Sequence, residues 1–356
     1  MDAAYEGLAS ALDRLANGFP RTSSGVELRM LRMMFSPEEA ALASVLTSAP
    51  ARVSAVARRA GLDQARAAQL LSRLVERDAV WVSEDESGTT RYRLAPFLPG
   101  SFDMHLLLTK DPQYARLAEE YLGGGGGALM MAPQPAIHRV VPARAAIKSE
   151  WVLPYDDVRA LLLGAEAFRV KECVCRLQAE LAGGRACAFP VENCLWFALT
   201  PATAAEGDTI SRTEALAVLD EAERVGLVHT VSNAVEGGGY ICNCCGCCCH
   251  LLRGITDWGI ENSVAQANYY AAIDVQACPA RCDICAKRCQ VHAISRRGGA
   301  FEVDRNRCLG CGLCVSGCPN KAAQLFPRPQ GEIVPPPVDY EAWERERLRS
   351  RGLQWG

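Results

Sequence analysis

The first 172 residues of this 356-residue chain contain no cysteine, yet the remainder holds 18, all of them between Cys173 and Cys318. So uneven a distribution argues against a disulfide framework running through the whole chain, and it marks the N-terminal part as a different kind of object. Long apolar runs are missing too: none approaches the roughly 20 residues that a membrane-spanning helix needs. Met1-Asp2-Ala3-Ala4-Tyr5-Glu6 has no basic stretch leading into an apolar one, so the expectation is a cytoplasmic protein without a membrane span. No G-x-G-x-x-G or P-loop is evident, and the glycine runs at Gly123 to Gly127 and Gly237 to Gly239 lack the strand-then-helix setting of those loops. Flavin, nicotinamide and nucleotide are therefore not implied. A net charge of -3 argues against general affinity for polyanions, though it leaves a local basic face open.

A chain of this length can bury at least one sizeable core, so its stability need not come from cross-links. Numerous, closely spaced thiols in a reducing compartment then read as metal ligands rather than disulfides. The expected architecture is α+β and multidomain: a helical domain with a hairpin over 1–122, a linker over 123–154, a cysteine-rich mixed domain over 155–265, a compact cysteine module over 266–326 and a tail over 327–356. The linker rests on five consecutive glycines, Gly123 to Gly127, read as a flexible joint, and on the prolines between Pro133 and Pro154. The tail, FPRPQGEIVPPPVDYEAWERERLRSRG, is proline-rich and then charged, the pattern of a wrapping or partner-contacting arm.

In the N-terminal part, Ser36 is a candidate N-cap with Pro37 at the first helical position, which predicts a helix over 37–48. VSAVARRAG then ends on Gly61, and DQARAAQLLSRLVERD sets Ala67, Leu70, Leu71, Leu74 and Val75 on one helical face. VWVSEDESGTTRYRLA alternates on either side of a polar turn, a hairpin signal. The order helix, helix, helix, hairpin resembles the winged-helix domains of bacterial transcription regulators. That resemblance implies a groove-facing helix with Arg66, Gln69 and Arg73, and a wing with Arg91 and Arg93. Asp63, Glu76, Asp78, Glu84, Asp85 and Glu86 nearly cancel the local positive charge, and winged helices also dock proteins. Further along, Arg212 to Val228 reads as an amphipathic helix.

Near the C-terminus, Cys308, Cys311, Cys314 and Cys318-Pro319 form a CxxCxxCxxxCP run. This spacing wraps three thiolates around one cubane and carries the fourth away to a second. Gly310 and Gly312 are expected to keep side chains clear of the cubane. Cys282, Cys285 and Cys289 stand 29 residues before Cys311, Cys314 and Cys318, and AISRRGGAFEVD between them reads as a hairpin turning on Gly298-Gly299. The module resembles bacterial dicluster ferredoxins, and the whole chain looks like the larger multi-cysteine ferredoxin-domain proteins of anaerobes. The resemblance implies two [4Fe-4S] clusters, one held by Cys278, Cys282, Cys285 and Cys318, the other by Cys308, Cys311, Cys314 and Cys289. Two departures stand out: three residues separate Cys278 from Cys282 where the family usually has two, and Gln290 replaces the proline that would follow the fourth cysteine. Two zinc ribbons also use CxxC pairs, but they rarely crowd four cysteines into twelve residues.

In the centre, CNCCGCCC puts Cys242, Cys244, Cys245, Cys247, Cys248 and Cys249 into eight positions. Adjacent side chains point apart in a regular backbone, so six thiols cannot share one metal. Cys242, Cys245 and Cys248 repeat the cubane-wrapping spacing, while Cys244 and Cys247 form an interleaved CxxC with Cys249 beside it. Upstream, Cys173, Cys175, Cys187 and Cys194 add four more thiols. These ten are expected to hold one or two further iron–sulfur clusters of unfixed nuclearity, with Lys171 and Arg176 lowering thiol pKa values and offsetting the cluster charge. Cys187 and Cys194 lie in apolar flanks that also suit simple burial, and His250 reads either as a ligand or as a helix-start residue.

Two functional readings follow. One is an electron-relaying protein or oxidoreductase subunit of a larger complex, taking redox proteins or other subunits as partners. The other is a redox-sensing regulator that binds DNA through the winged helix. A cluster-assembly scaffold is a third, and association with a second copy of the chain stays open.

Overall fold

The computed structural model describes residues 2–148, 155–184, 187–198, 209–236, 238–279 and 281–355. The stretch 149–154 of the expected linker and Gly237 lie outside the described residues. The chain forms two compact units, one of residues 1–134, 177–184 and 344–356, the other of 135–176 and 185–343.

The first unit begins with α1 (Asp2–Asp13), α2 (Val26–Met34), α3 (Pro37–Ala43), α4 (Val53–Ala60) and α5 (Gln64–Glu76), followed by the hairpin β1 (Val80–Glu84) and β2 (Thr90–Leu94). Local chemistry sets the ends. Ser36 and Glu39 cap α3 reciprocally, Gly61 closes α4 in the left-handed conformation, and Asp63 accepts from the Arg66 N–H to start α5. α3 stops at Ala43, five residues short of the expected end, and Ser44 caps it. Ala51 bridges antiparallel to Tyr92, so the hairpin gains a third extended neighbour. Leu42, Val56, Leu70, Leu71, Leu74, Val80 and Leu94 are buried.

Helices α6 (Phe102–Thr109), α7 (Pro112–Tyr121) and α8 (Gly127–Met131) follow. The five glycines lie between α7 and α8, and the helical path breaks at Gly125, whose φ of 107° is left-handed. Gly126 passes so close to Tyr121 that a Cβ on it would stand 2.6 Å from the ring, which is why glycine is needed at that position. The division between units falls instead after Gln134.

The second unit is built on an antiparallel sheet of β3 (His138–Val141), β4 (Ala167–Glu172), β5 (Glu192–Ala198), β6 (Val228–Ser232) and β7 (Tyr240–Cys244), in the order β3-β6-β7-β5-β4. Helices α9 (Val158–Leu163) and α11 (Arg212–Val225) cover one face, burying Val158, Leu162, Phe168, Leu195, Phe197, Leu219, Val231 and Ile241. α11 begins on a Ser211 and Glu214 capping box and ends on left-handed Gly226, so Val228, the expected last residue of the helix, instead starts β6. α10 (Val174–Leu181) follows β4, and α12 (His250–Thr256) follows the cysteine run.

The C-terminal module comprises β8 (Tyr269–Ile273), α13 (Ile284–Arg288), β9 (Ile294–Arg297), β10 (Ala300–Val303), α14 (Leu313–Ser316) and β11 (Ala323–Pro327). β8 pairs with β11, and β9 turns into β10 through Gly298-Gly299 as the repeat predicts. The central and C-terminal cysteine segments, 155–265 and 266–326 in the sequence reading, share one compact unit except for residues 177–184.

The tail also departs from expectation. Its Pro337 and Val338 carbonyls accept from the N–H groups of Val235 and Glu236, consistent with wrapping. Its helix α15 (Tyr340–Ser350), however, is a core element. Arg347 is fully buried and donates to the carbonyls of Ala16, Met130 and Pro133, while Glu344 takes a bidentate pair of 3.0 Å hydrogen bonds from Arg93.

Candidate metal centre

Strand alternation sorts the central thiols. In β7, Ile241 and Asn243 face the helices, so Cys242 and Cys244 project from the opposite face of the sheet. Cys194 of β5 lies on that face beside them, with its sulfur 3.9 Å from that of Cys242. The same face carries Thr230, whose hydroxyl lies 3.4 Å from Cys244 Sγ and 3.1 Å from His138 Nδ1; His138 Nε2 is 2.8 Å from the Tyr240 hydroxyl. Burial holds the His138 imidazole down to about 4. Lys171 sets its ammonium 3.8 Å over the Trp196 ring.

Beyond β7 the chain leaves the sheet in a turn over Gly246 to Cys248, and regular alternation ends there. Adjacent Cys247 and Cys248 therefore converge, their sulfurs 3.6 Å apart. Cys187 closes the group, 3.7 Å from Cys247 and 3.9 Å from Cys245. The four sulfurs of Cys187, Cys245, Cys247 and Cys248 lie within 4.8 Å of one another. The structure thus divides the run differently from its CxxCxxC spacing: Cys245 and Cys248 sit with Cys187, whereas Cys242 sits with Cys194.

The remaining thiols form a second array. Cys175 interacts with both Cys173 and Cys249, Cys249 with Cys244, and Cys244 with Cys242. Hydrogen bonds from Cys175 and Cys244 hold Cys249 well below the usual thiol range. Arg176 serves both groups. Buried, it donates to the carbonyls of Pro190 and Asn243 at 2.8 and 2.9 Å and to Asn193 Oδ1 at 2.9 Å. Burial works to lower its pKa, but the neighbouring Cys173 and Cys245 thiolates outweigh that and raise it. Contacts from Cys247 and Cys248 in turn hold the Cys245 thiol far down. His250 is buried at the first position of α12 and is not one of the four converging ligands.

In the C-terminal module, Cys289, Cys308, Cys311 and Cys314 line one cavity with Val228, Val291, Ile294, Leu309 and Leu313. Burial pushes the Cys311 thiol up to about 12 and raises Cys289 and Cys314. Burial of this kind keeps Cys289, Cys311 and Cys314 protonated until a metal displaces the protons. Backbone N–H groups aim at the sulfurs: Ala293 to Cys289 at 3.2 Å, Ala271 to Cys308 at 3.4 Å and Ala323 to Cys318 at 3.5 Å. Cys278 and Cys282 lie near enough to raise the Cys285 thiol, whose burial is the larger cause. Gly310 and Gly312 take left-handed φ values of 70° and 74°, and side chains there would strike the Tyr269 carbonyl and Ala146. The glycines are thus required by the protein's own packing.

Residues 301–324, which include Cys308, Cys311, Cys314 and Cys318, match the family model of the 4Fe-4S binding domain. This is an iron–sulfur protein. The donor set fits at least one [4Fe-4S] cluster: four thiols converge on one apolar cavity, with backbone N–H groups directed at the ligand sulfurs. The converging thiols of Cys187, Cys245, Cys247 and Cys248 add a further metal-binding group. Neither the curated proteins nor the solved structures contain a match to the chain. No helix among the described residues is long and apolar enough to cross a membrane.

Sequence reasoning missed the role of Gln290. Its side chain accepts from the Gly246 N–H at 2.9 Å and donates to the Gly226 carbonyl at 2.8 Å. The absence of the expected proline at that position was the available signal.

Proposed function

We propose that this chain relays electrons as a subunit of a redox complex, with two ferredoxin-type clusters in its C-terminal module and at least one more iron–sulfur cluster in its cysteine-rich centre. The observation that carries the reading is the meeting of Cys289 with Cys308, Cys311 and Cys314 around one cavity, since it brings a ligand from one half of the repeat to the other half's site. When bound, a [4Fe-4S] cluster supplies one-electron redox chemistry. The chain's part is to hold and insulate. Val228, Ile294, Leu309 and Leu313 exclude water, and the N–H groups of Ala271, Ala293 and Ala323 stabilise charge on the ligand sulfurs. Cys278 and Cys282 are only half-buried, which suits the other set for exchange with a partner protein.

The test is anaerobic purification with iron and sulfide counts and EPR of the reduced protein. About eight iron per chain or more, at four per cubane, with signals of magnetically interacting reduced clusters, is expected. A colourless preparation with no reduced-state signal would overturn the reading.

The regulator reading draws support from the three helices, the hairpin and the Ala51–Tyr92 bridge. Three of the four arginines it invokes are otherwise engaged: Arg66 pairs with Glu38, Arg91 with Asp85 and Arg93 with Glu344. That favours the hairpin-bearing segment as a protein-docking element. Salt-dependent binding to the gene's own promoter would reverse this preference.

A further inference from the structure

We infer that Cys187, Cys245, Cys247 and Cys248 form a mononuclear site that takes one divalent ion, zinc or ferrous iron, in a closed tetrahedron of thiolates, distinct from any iron–sulfur cluster. The argument is one of scale. Metal–sulfur bonds of about 2.3 Å in a tetrahedron place the sulfurs about 3.8 Å apart. Three sulfur pairs here stand at 3.6, 3.7 and 3.9 Å, and none of the six exceeds 4.8 Å. A cubane needs its four thiolates roughly 6 Å apart, because each binds an iron at a separate corner. Ligands already at tetrahedral spacing fit one ion and are too close for four.

The backbone explains how the spacing arises. The turn over Gly246 to Cys248 folds Cys245, Cys247 and Cys248 inward, and Cys187 supplies the fourth ligand from a distant loop. Four thiolates on a divalent ion leave a net charge of -2, and the guanidinium of buried Arg176 lies beside Cys245 to offset part of it. Four protein ligands leave no open coordination position, so the ion is structural. It would pin the cysteine run to the Cys187 loop and fix how Cys242, Cys244 and Cys249 are presented on the other array. That array, with Cys173, Cys175 and Cys194, leaves six thiols outside the four-thiol site.

The experiment compares zinc, iron and acid-labile sulfide in full-length protein purified anaerobically, as wild type and as Cys187→Ser and Cys247→Ser. A cubane carries one sulfide per iron, whereas a mononuclear site carries none. The expected wild-type result is a total of zinc plus iron exceeding sulfide by about one per chain. Each variant loses that one ion with sulfide unchanged. Wild-type protein produced with cobalt adds the visible absorption of a tetrahedral cobalt thiolate, so a variant that fails to fold does not remove the test. Loss of iron and sulfide together, about four of each, would overturn the inference, as would wild-type metal equal to sulfide. The outcome is independent of electron transfer: a protein that fails to relay electrons can still hold this ion, and the converse.

Discussion

Gln290 and Gly246 are joined by a 2.9 Å hydrogen bond, from the Gly246 N–H to the Gln290 side-chain oxygen. Gly246 lies between Cys245 and Cys247, and Gln290 follows Cys289 directly, so this contact ties the central thiol loop to the cavity of the C-terminal module. A side chain on Gly246 would collide with the Gln290 carbonyl. Gly246→Ala should therefore lower the thermal midpoint and reduce metal at the four-thiol group. Gln290→Ala removes two hydrogen bonds and should cost about 1–3 kcal/mol. Retention of wild-type midpoint and metal content by Gly246→Ala would refute the coupling.

Cys318 tests the crossed ligation. Cys318→Ser should disable the set containing Cys278, Cys282 and Cys285 while leaving the set in the Cys311 cavity intact. About half of the module's iron is then lost, and the EPR of the reduced protein loses the interaction between the module's two clusters. Cys311→Ser should do the reverse. Identical spectra for the two variants would contradict the assignment.

Arg176 is the positive charge buried among the central thiols. Arg176→Gln should lower the reduction potential of the central cluster by at least ~60 mV, the tenfold step of a one-electron couple. Arg176→Lys should restore most of the potential but not the stability, because the hydrogen bonds to Pro190, Asn193 and Asn243 need the planar fork. Redox titration followed by EPR separates these two effects.

Asp103 gives the first unit a defined pH dependence. Burial raises its carboxyl to about 7, partly countered by the hydrogen bond from the Gly100 N–H. A carboxyl whose folded-state pKa is raised contributes stability that is fully present below the unfolded value near 4 and is lost as pH climbs through about 7. Asp103→Asn keeps an acceptor for Gly100 without the charge. It should exceed the wild type by about 1–2 kcal/mol at pH 8, a figure discounted for partial exposure, with the difference vanishing near pH 4. Denaturant midpoints of both proteins across that range provide the measurement.

Arg347 holds three carbonyls in the first unit. Arg347→Met would leave all three without their donor and should cost about 3–5 kcal/mol, comparable to breaking a buried charged network. Glu344→Ala strands Arg93 and should cost less, since Arg93 is also within reach of the Ser48 carbonyl. An arm that merely lay on the surface would show neither loss.

The parts legible in the sequence were those governed by near neighbours. The Cys308 to Pro319 spacing, the periodicity that marks α11 and the Gly298-Gly299 turn each depend on a few consecutive residues. The approach of Cys187 to Cys245 and Cys247 depends on chain folded between positions some 60 residues apart, and no local pattern records it. The need for glycine at position 126 comes from Tyr121 packing over it, a contact that the glycine run itself does not record. α15 is a further case. Its composition is strongly charged, yet Glu344, Arg347 and Leu348 are buried, with the two charged residues satisfied by Arg93 and by backbone carbonyls.

The placement of α15 has a consequence for how the protein is made. Residues 344–356 complete a unit whose other parts are mostly 1–134, so that unit stays unfinished on the ribosome until the whole cysteine-bearing stretch has been synthesised. A nascent chain interrupted anywhere before Arg347 would lack the donor for the carbonyls of Ala16, Met130 and Pro133.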